Sequence, residues 1–499
     1  MVAVHNAENE LVGLLALAVE TNTKRLVVAG DSLCEYGTWL AADNDSGNQF
    51  IVAALDALEK KFPNAALRFL YLAAGTPLDW LDENKRWFDK CDLKKESRPL
   101  LRFDDDAELQ ASLKKKHSRS RLNQIKKRGA IELERVTDLN RFEAIFDTVK
   151  NFGDLRLSAV HRVAPDDDVH KKKFYLELFK ANLLFVTLLK IGEEIASAHF
   201  DLQNRDSFML GLTALSPFFA KYSPRKFHIT LLCLELLKQN VHLFDLTPGG
   251  NYKDRHANGA DEVHVLTIYF SKPAHRQSAA KRQTRAIARK VLSAAKIDRE
   301  TIAERIYEAR HKLKFLTAKT VIKKLNARIG GAKKIPREMR IYAFDVEKIS
   351  GIPNPNLMNR NRIEDLLKYE PTESWHLSAS AFHRLATERL SEGIHIYTKV
   401  EAGKLAHYGW MIERQEKSFI SEVNQHFTMP PDSAVLFDFF THPQARGRGF
   451  YQAALRQILH DASRIPNTRQ IYIAVAADNA ASRHVIEKVG FEYKCSLRG

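Results

Sequence analysis

The chain has 499 residues, which is too long for one hydrophobic core, so about two to four domains are expected. Its formal net charge is +16 at neutral pH. Its 44% hydrophobic and 28% charged residues are ordinary for a soluble globular protein. Four cysteines without a CxxC pair argue against a disulfide or zinc scaffold, so we expect no metal and a reducing, cytoplasmic compartment.

The first hundred residues alternate strand-like and helical patterns. Residues 25–30 and 66–72 are strand-like, and residues 50–58 have helical spacing. The apolar run from Leu11 to Val19 is too short to span a bilayer and lacks the basic flank of a signal peptide, so it predicts a buried strand. Strand-like sequence begins almost at Met1, which leaves open that an N-terminal piece of the first domain is missing.

A basic helix is predicted next, from Lys114 to Arg128, and Gly129 ends it. Eight of its fifteen residues are lysine or arginine. Such a charge run is typical of a solvated helix face.

A second mixed region runs from residue 131 to residue 270. Its landmarks are a strand at 195–202, a turn at 221–225 before a helix at 227–238, and a strand at 243–246. The last strand leads into the glycine-containing segment 247–253. Here a strand again feeds a turn and a helix start.

These landmarks resemble the CelD-like acetyltransferases associated with cellulose and exopolysaccharide synthesis. The resemblance covers residues 1–270, read as one GNAT-related module with lobes at about 1–110 and 111–270. Arg225 stands where that family usually has glycine in the turn. The segment from Gly249 to Lys253 also resembles Fem-type aminoacyl transferases. The resemblance implies a small-molecule or saccharide acceptor in exopolysaccharide or cell-envelope precursor synthesis.

Three residues of this module are candidates for chemistry. Lys253, just beyond the glycine pair, is the predicted catalytic residue, because a lysine there can stabilise an oxyanion or a phosphate. His199 and Asp245 lie on predicted central strands as a base or an orienting residue. A core histidine with satisfied hydrogen bonds is the alternative for His199.

The positive charge is concentrated in residues 271–340, which contain 21 lysines and arginines and five acidic residues, so the rest of the chain is formally neutral. The pattern predicts two or three helices, with Gly330 and Gly331 closing the last. This predicted basic helical linker could meet an anionic membrane surface, an acidic glycan or nucleic acid. Tyr307 and Phe315 are the only aromatic residues in 271–340, so there is little to stack on bases, which argues against nucleic acid. A solvated inter-domain bracket is the other interpretation.

The last seventy residues read as a strand, a basic glycine turn, a helix, a second strand and a short helix opened by Asn479. A strand that feeds a glycine turn and a helix start directs free N–H groups and the positive end of the helix dipole toward one point. Two arginines add positive charge, and glycine permits close approach of an anion. The sequence therefore predicts an anion cradle.

This segment resembles the GNAT acyltransferases, whose acyl-CoA pyrophosphate loop reads Arg/Gln-x-x-Gly-x-Gly/Ala. Arg446, Gly449 and Tyr451 occupy the three defined positions, so Tyr451 departs from the pattern. The later family segment Asn-x-x-Ser/Ala…Gly-Phe begins here at Asn479. Ile486 stands where many members carry the tyrosine that protonates the departing thiolate, which leaves the acid unassigned.

The resemblance implies acetyl-CoA or another acyl-CoA as co-substrate. The predicted cofactor-binding residues are Phe440, Thr441, Arg446, Gly447, Arg448, Gly449, Phe450, Tyr451, Asn479 and Ser482. A basic turn that merely caps a helix is the alternative.

Asp438 is the first candidate for the general base, because it lies on the strand that feeds the loop. Its neighbours Phe437 and Phe439 are expected to give it the apolar surroundings that suit a base at neutral pH. A solvent-facing aspartate is the alternative. His442 is the second candidate, or it simply forms the turn before Pro443.

His407 and Tyr408 could line the acceptor side, although aromatic residues on such a strand are more often core.

The predicted fold is α/β (α+β), with tandem GNAT-like modules around mixed sheets, the second at 341–499. The predicted function is acyl-CoA-dependent acyl transfer, in first place acetyl transfer to an amine or hydroxyl. The alternatives are a non-catalytic acyl-CoA sensor or scaffold and a Fem-like aminoacyl transferase; nucleic-acid binding comes last. The protein is expected to be cytoplasmic, or peripheral at the inner membrane.

Overall fold

The computed structural model describes residues 2–5, 9–20, 25–30, 33–41, 45–165, 169–203, 208–250, 253–294, 299–314 and 338–499. Tyr252 and the predicted helix end at Gly330 and Gly331 lie outside these residues, as does the rest of 315–337. Among the helices within the described ranges, none combines the length and the apolar character that crossing a membrane requires.

The strands β1 to β22 are, in chain order, Val2–His5, Leu11–Leu15, Leu17–Val19, Leu26–Val28, Leu40–Ala41, Ala66–Phe69, Cys91–Arg102, Ile131–Val136, Leu184–Ile191, Glu194–Gln203, Phe208–Leu215, Leu243–Asp245, Gly259–Tyr269, Glu338–Asp345, Asn359–Arg360, His395–Glu401, Lys404–Ile412, Lys417–Ile420, Gln425–Thr428, Ala434–Thr441, Gln470–Ala476 and Glu492–Arg498.

The helices α1 to α14 are Asp45–Lys61, Asp79–Glu83, Lys85–Phe88, Asp106–Lys114, Lys116–Lys126, Leu139–His161, Val169–Lys180, Pro224–Leu237, Lys272–Ala294, Arg299–Lys314, Ile363–Leu366, Ala379–Ser391, Phe450–Ser463 and Ala480–Val489. Short 3-10 turns lie at Pro217–Tyr222, Lys253–Arg255, Val346–Gly351 and Pro443–Ala445. The predicted mixed α/β class is confirmed.

Two predictions for the N-terminal half need correction. The apolar run at 11–19 forms two strands, β2 and β3, and although Leu15 is fully buried, Leu11 and Val19 are 57% and 47% exposed. The predicted basic helix is interrupted at Lys115, whose ψ of 140° is extended, so α4 and α5 meet there.

The first compact unit comprises Met1–Glu143, Asp168–Thr213 and Arg225–Ile302. Its eight-stranded sheet has the order β6-β13-β7-β12-β11-β10-β9-β8. Strands β11 and β12 are parallel and pair at Phe208 with Phe244 and at Met209 with Asp245. Helix α8 is the next α-helix along the chain after β11, and β12 is the parallel neighbour of β11 in the sheet.

The second compact unit comprises Ala144–Asp167, Ala214–Pro224 and Ala303–Gly499. Its seven-stranded sheet has the order β15-β16-β17-β20-β21-β14-β22. Helices α13 and α14 pack with one hydrophobic core on one face of the sheet, and the hairpin β18–β19 covers a second core on the other face. These units do not follow chain order throughout, and the predicted boundaries near 270 and 340 stay predictions.

A bulge interrupts the pairing of β17 with β20. The register shifts between Tyr408 and Trp410, and Asp438 has a φ of +51°. The bulge leaves Phe439 on the helical face, where its ring lies over Gly409; a Cβ at Gly409 would come within 2.1 Å of that ring. The absence of a side chain at Gly409 therefore makes room for the aromatic residue that follows the bulge.

Gly409→Ala should lower the free energy of unfolding by about 1–3 kcal/mol, because the added methyl group overpacks against Phe439. Urea denaturation of the full chain measures this. Gly153→Ala is the matched control in the same unit, since nothing lies within 4 Å of its Cβ position in helix α6. That control should stabilise by about 0.5–1 kcal/mol. Equal midpoints for the two variants would contradict the packing argument.

Candidate functional site

The turn between β20 and α13 is built around two glycines. Gly447 and Gly449 have φ values of +77° and +78°, and no heavy atom lies within 4 Å of a Cβ at either position. Backbone conformation rather than crowding therefore requires glycine here. The N–H of Ala453 donates back into the turn, to the carbonyl of Gly449 at 3.0 Å. The N–H groups of residues 450–452 precede that bond and can bind an anion.

Both arginines of the turn have acidic neighbours. Arg448 makes a forked ion pair with Glu401, with 2.7 Å between Nη2 and Oε1. Arg446 Nη2 lies 4.0 Å from Glu373. Both arginine side chains are more than half exposed, so solvent screens these pairs. An anion at the turn competes with Glu401 for Arg448, whereas the backbone N–H groups are already directed toward the site.

Strands β20 and β21 part beside this turn. They pair in parallel from Ala434 with Ile471 to Leu436 with Ile473, and β20 then continues to Thr441 beyond the end of this pairing. The gap opens toward the starts of α13 and α14. This arrangement offers an extended ligand a slot between two strands, next to an anion-binding helix start.

The structure brings the two predicted motifs together across this gap. Asn479 caps α14, with its Oδ1 accepting from the N–H of Ser482 at 3.1 Å. Ser482 Oγ donates to the phenolic oxygen of Tyr451 at 3.1 Å. Tyr451 is the second residue of α13, and its ring centroid lies 5.0 Å from that of Phe439.

Phe440 and Thr441 are placed differently from the other predicted cofactor-binding residues. The Phe440 ring stacks on Tyr408 with centroids 5.3 Å apart, and Thr441 Oγ1 lies 2.8 Å from His407 Nδ1. These side chains already have protein partners, so only their backbone groups remain for a ligand.

Asp438 does not have the apolar surroundings that its sequence neighbours suggest. The bulge turns it away from the helical face, and its side chain is 39% exposed. Its Oδ2 lies 2.5 Å from Arg389 Nη1, in an ion pair that sequence reasoning missed because the partners are 49 residues apart. The Arg389 guanidinium lies 4.8 Å from the ring centroids of both Trp410 and Phe437, which fixes its position beside Asp438.

Asp438 and Arg389 line a pocket of about 490 Å³ on the sheet face opposite α13. The hairpin β18–β19 forms one wall, and residues 435–438 and 472–474 of the parting strands form the floor. Gln415 also lines it, and its Oε1 is buried without a hydrogen-bond partner in the described part of the chain. The pocket therefore lies next to the gap, with a carboxylate at its edge.

His442 forms the turn before Pro443, as the alternative to a catalytic role predicts. It is 6% exposed, and its Nδ1 accepts from the N–H of Gln444 at 3.3 Å. Burial, together with the charge of Lys404, lowers its pKa. A neutral ring that caps the turn is what these contacts favour.

His407 and Tyr408 are core residues. This placement was the alternative to a role on the acceptor side. His407 is fully buried, and burial lowers its pKa to about 3. Its Nε2 has no hydrogen-bond partner among the residues described. Tyr408 is 7% exposed within an aromatic group that includes Phe382 and Phe440.

In the first unit, Lys253 is buried in the turn after β12. Its Nζ donates to Thr247 Oγ1 at 2.6 Å and to the carbonyl of Pro248 at 3.2 Å. Burial lowers its pKa, and the nearby carboxylates of Glu35 and Asp245 oppose that shift. Thr247 has a φ of +61°, an uncommon conformation for a β-branched residue, so the lysine supports a strained turn.

Asp245 joins a separate polar cluster. It accepts from Tyr36 Oη at 2.8 Å and from the N–H of Thr247 at 2.7 Å, and Arg98 Nη1 lies 3.5 Å away. Burial raises its pKa, while these donors oppose the shift. This geometry suits an orienting role for the carboxyl group.

His199 is buried to 1% exposure, and burial lowers its pKa to about 3. Neither ring nitrogen has a hydrogen-bond partner in the described ranges, although Asp201 Oδ2 lies 3.4 Å from Nδ1. The prediction of a core histidine with satisfied hydrogen bonds is therefore right about burial and wrong about hydrogen bonding.

Arg225 does not occupy the left-handed position of this turn. The left-handed residue is Ser223, with a φ of +55°, and Arg225 is the second residue of α8. Glycine is not needed at a helical position.

Residues 357–492 and residues 112–255 match two sequence families, each described as an Acetyltransferase (GNAT) domain. The chain carries two GNAT domains. The predicted tandem GNAT-like fold is thereby confirmed, whereas the lobe at 1–110 and the CelD-like assignment of the first module stay predictions. Comparison with curated proteins gave no match.

Solved structures of similar fold include the C-terminal domain of a lysylphosphatidylglycerol synthetase from Agrobacterium fabrum, at 11% identity and a TM-score of 0.36, covering 56% of this chain and 86% of that one. L-PGS from Bacillus licheniformis has 14% identity and a TM-score of 0.36, covering 57% and 89%. A tandem GNAT protein from the clavulanic acid pathway has 13% identity and a TM-score of 0.22, covering 74% and 97%. Similarities this low do not bear on the substrate.

His407 is one of several buried histidines in the second GNAT domain, and its burial should make stability depend on pH. The pKa of His407 is about 3 in the folded state and about 6.5 when exposed, so the unfolded state binds more protons between these values. Its contribution is therefore present above about pH 6.5 and is lost as pH falls, by about 1.4 kcal/mol per pH unit. His407→Gln should flatten this decline in urea denaturation measured at several pH values. The exposed His426→Gln is the control, and an equal flattening in that variant would contradict the assignment.

Proposed function

We propose that the second GNAT domain transfers an acyl group, in first place acetyl, from acyl-CoA to an amine or hydroxyl acceptor. The observation that carries this is the left-handed glycine turn at Gly447 and Gly449, which opens α13 beside the gap between two parting parallel strands. A pyrophosphate fits such a helix start, and a linear thioester arm fits the gap.

The residues of the turn would hold the donor. The N–H groups of residues 450–452 and the side chains of Arg446 and Arg448 would bind the pyrophosphate, and the GNAT resemblance assigns Asn479 to the pantetheine arm. Acyl-CoA supplies the activated thioester. The chain's own contribution is to fix the donor against the sheet with donors that need no rearrangement.

Asp438 is the proposed general base. The acceptor would occupy the pocket of about 490 Å³, and its nitrogen or oxygen would lose a proton to the carboxylate as it attacks the acyl carbon. The carbon–sulfur bond would then break, and CoA would leave as the thiolate. Arg389 holds that carboxylate at the rim through the ion pair at 2.5 Å. His442 stays the second candidate, although its Nδ1 is occupied in the turn.

A non-catalytic acyl-CoA sensor or scaffold is the second candidate function. Ile486 is fully buried in the core of this domain, so that position has no group that could protonate a leaving thiolate. Tyr451 adds bulk where most members of the family have glycine or alanine. Both observations concern turnover and leave the anion-binding turn intact.

The finer predictions for acceptor and partner rest on resemblance alone. A saccharide acceptor in envelope or exopolysaccharide precursor synthesis follows from the CelD-like pattern, and aminoacyl transfer follows from the Fem-like pattern. In the first domain we propose Lys253 as the stabiliser of an oxyanion, with its contacts to Thr247 and Pro248 holding it in place. The cytoplasmic location likewise stays a proposal.

Residues 272–340 remain a proposed contact with an anionic membrane surface. Helix α9 contains seven lysines and arginines and no acidic residue. Its first half is held to β7, where Asp92 lies 3.1 Å from His275 and also pairs with Arg282. Binding of the full chain to vesicles with and without anionic lipid tests this role against the solvated bracket, and the nucleic-acid role stays ranked last.

Arg448→Glu should weaken binding of acetyl-CoA by at least about tenfold, because it replaces a cation beside the helix start with a second carboxylate near Glu401. Isothermal titration with acetyl-CoA measures this. Arg464→Glu, the same charge change at the other end of α13, is the control and should bind as the wild type does. Unchanged affinity in Arg448→Glu would remove the cradle from the proposal.

Asp438→Asn should lower the rate of thiol release with the best acceptor of an amine, amino-sugar and alcohol panel by about 100- to 10,000-fold, with acetyl-CoA affinity retained. Arg389→Gln breaks the same ion pair but keeps the carboxylate. If both variants lose the same activity, the pair is structural and Asp438 is not the base. If no acceptor releases thiol from a protein that binds acetyl-CoA, the sensor function gains.

A further inference from the structure

The side chain of Tyr451 lies across the gap between β20 and β21. On the β20 side its ring packs against Phe439, with centroids 5.0 Å apart, and the His407 ring centroid is 6.1 Å away. On the β21 side its phenolic oxygen accepts from Ser482 Oγ, at 3.1 Å, on the helix that follows that strand. The side chain of Tyr451 thus contacts both β20, through Phe439, and α14, through Ser482.

The position of Tyr451 makes this bridge consequential. As the second residue of α13 it stands directly beside the N–H groups of the turn, so an anion held there and a chain running into the gap both meet the phenol. The pairing of β20 with β21 ends at Leu436 and Ile473, whereas Phe439 lies three residues further along β20. The ring therefore covers the opened part of the gap on the helical face.

We propose that Tyr451 is a gate over the thioester slot, with its hydrogen bond to Ser482 as the latch. This rests on the proposed function, because the slot is the one assigned to acyl-CoA. In the closed position the ring occupies the space between the strands, and rotation about its side-chain bonds would release Ser482 and clear the slot. The donor would then bind only the open fraction of molecules, which lowers its apparent affinity by that fraction.

The bond and the ring contribute separately to closure. The hydroxyl contributes the Ser482 bond, a net effect of about two- to tenfold in an equilibrium. The ring contributes the edge contact with Phe439, of similar size. Removing the whole side chain should therefore open the slot more than removing the hydroxyl alone.

The test is isothermal titration of the full chain with CoA and with acetyl-CoA. Tyr451→Ala should bind both about tenfold or more tightly than the wild type. Tyr451→Phe and Ser482→Ala should each tighten binding by about two- to tenfold, and the double variant should add nothing further, since both remove one bond. The matched control is Tyr493→Ala with Ser496→Ala, a tyrosine–serine pair 3.0 Å apart on the exposed strand β22.

The outcomes separate this inference from the function on which it rests. If the wild type binds and Tyr451→Ala binds equally or more weakly, the tyrosine is a ligand contact or a bystander, and the gate is wrong while the acyl-CoA site stands. If neither protein binds CoA or acetyl-CoA, both proposals fall, because removing a gate must reveal the site behind it. Thermal unfolding of each variant checks that the fold is retained, and the conservative pair Tyr451→Phe and Ser482→Ala decides the question if Tyr451→Ala unfolds.

Discussion

The short parallel pairing of β20 with β21 is the constraint on which the second domain depends. Three residue pairs hold the strands together, and beyond Leu436 and Ile473 they part. Backbone groups on the facing edges then need other partners, which in a folded protein means side chains, solvent or a ligand. If the two strands stayed paired to their ends, there would be no slot between them next to the starts of α13 and α14. The opening therefore defines the place proposed for the acyl donor.

The bulge at Asp438 divides the two sides of this opening. Because Asp438 has a φ of +51°, the strand shifts register, Phe439 remains over Gly409 on the helical face, and Asp438 turns to the other face. A donor slot and a carboxylate-edged pocket thus lie on opposite faces of the same strand. The proposed acyl transfer needs donor and acceptor to approach one carbon from different directions, and the slot and the pocket would provide those two directions.

The sequence predicted what depends on local patterns and missed what depends on distant partners. Gly447, Gly449 and Asn479 act through their own turns and caps, so their spacing was sufficient to place them. The strand predicted for Asp438 was right, but its apolar surroundings were wrong. Neither the bulge nor the ion pair with Arg389 can be recognised from the residues next to Asp438 in the sequence. The break at Lys115 was missed for a similar reason: a uniformly basic run gives no periodic signal by which one helix could be divided from the next.

The two domains share one arrangement of strands, although the residues at the helix starts differ. In the first, β9-β10-β11 are followed by parallel β12; in the second, β16-β17-β20 are followed by parallel β21. The middle strand of each carries alanine, a buried histidine and an aromatic residue, with His199 in one and His407 in the other. Ser223 takes the left-handed conformation before α8 that Gly449 takes before α13. Since the chemistry of these turns differs while the backbone path is kept, the fold requires the reversal of φ before the helix, and glycine is one way of providing it. Glycine leaves the turn of the second domain without a side chain at the proposed anion site, which is why we place the donor there and not at Ser223.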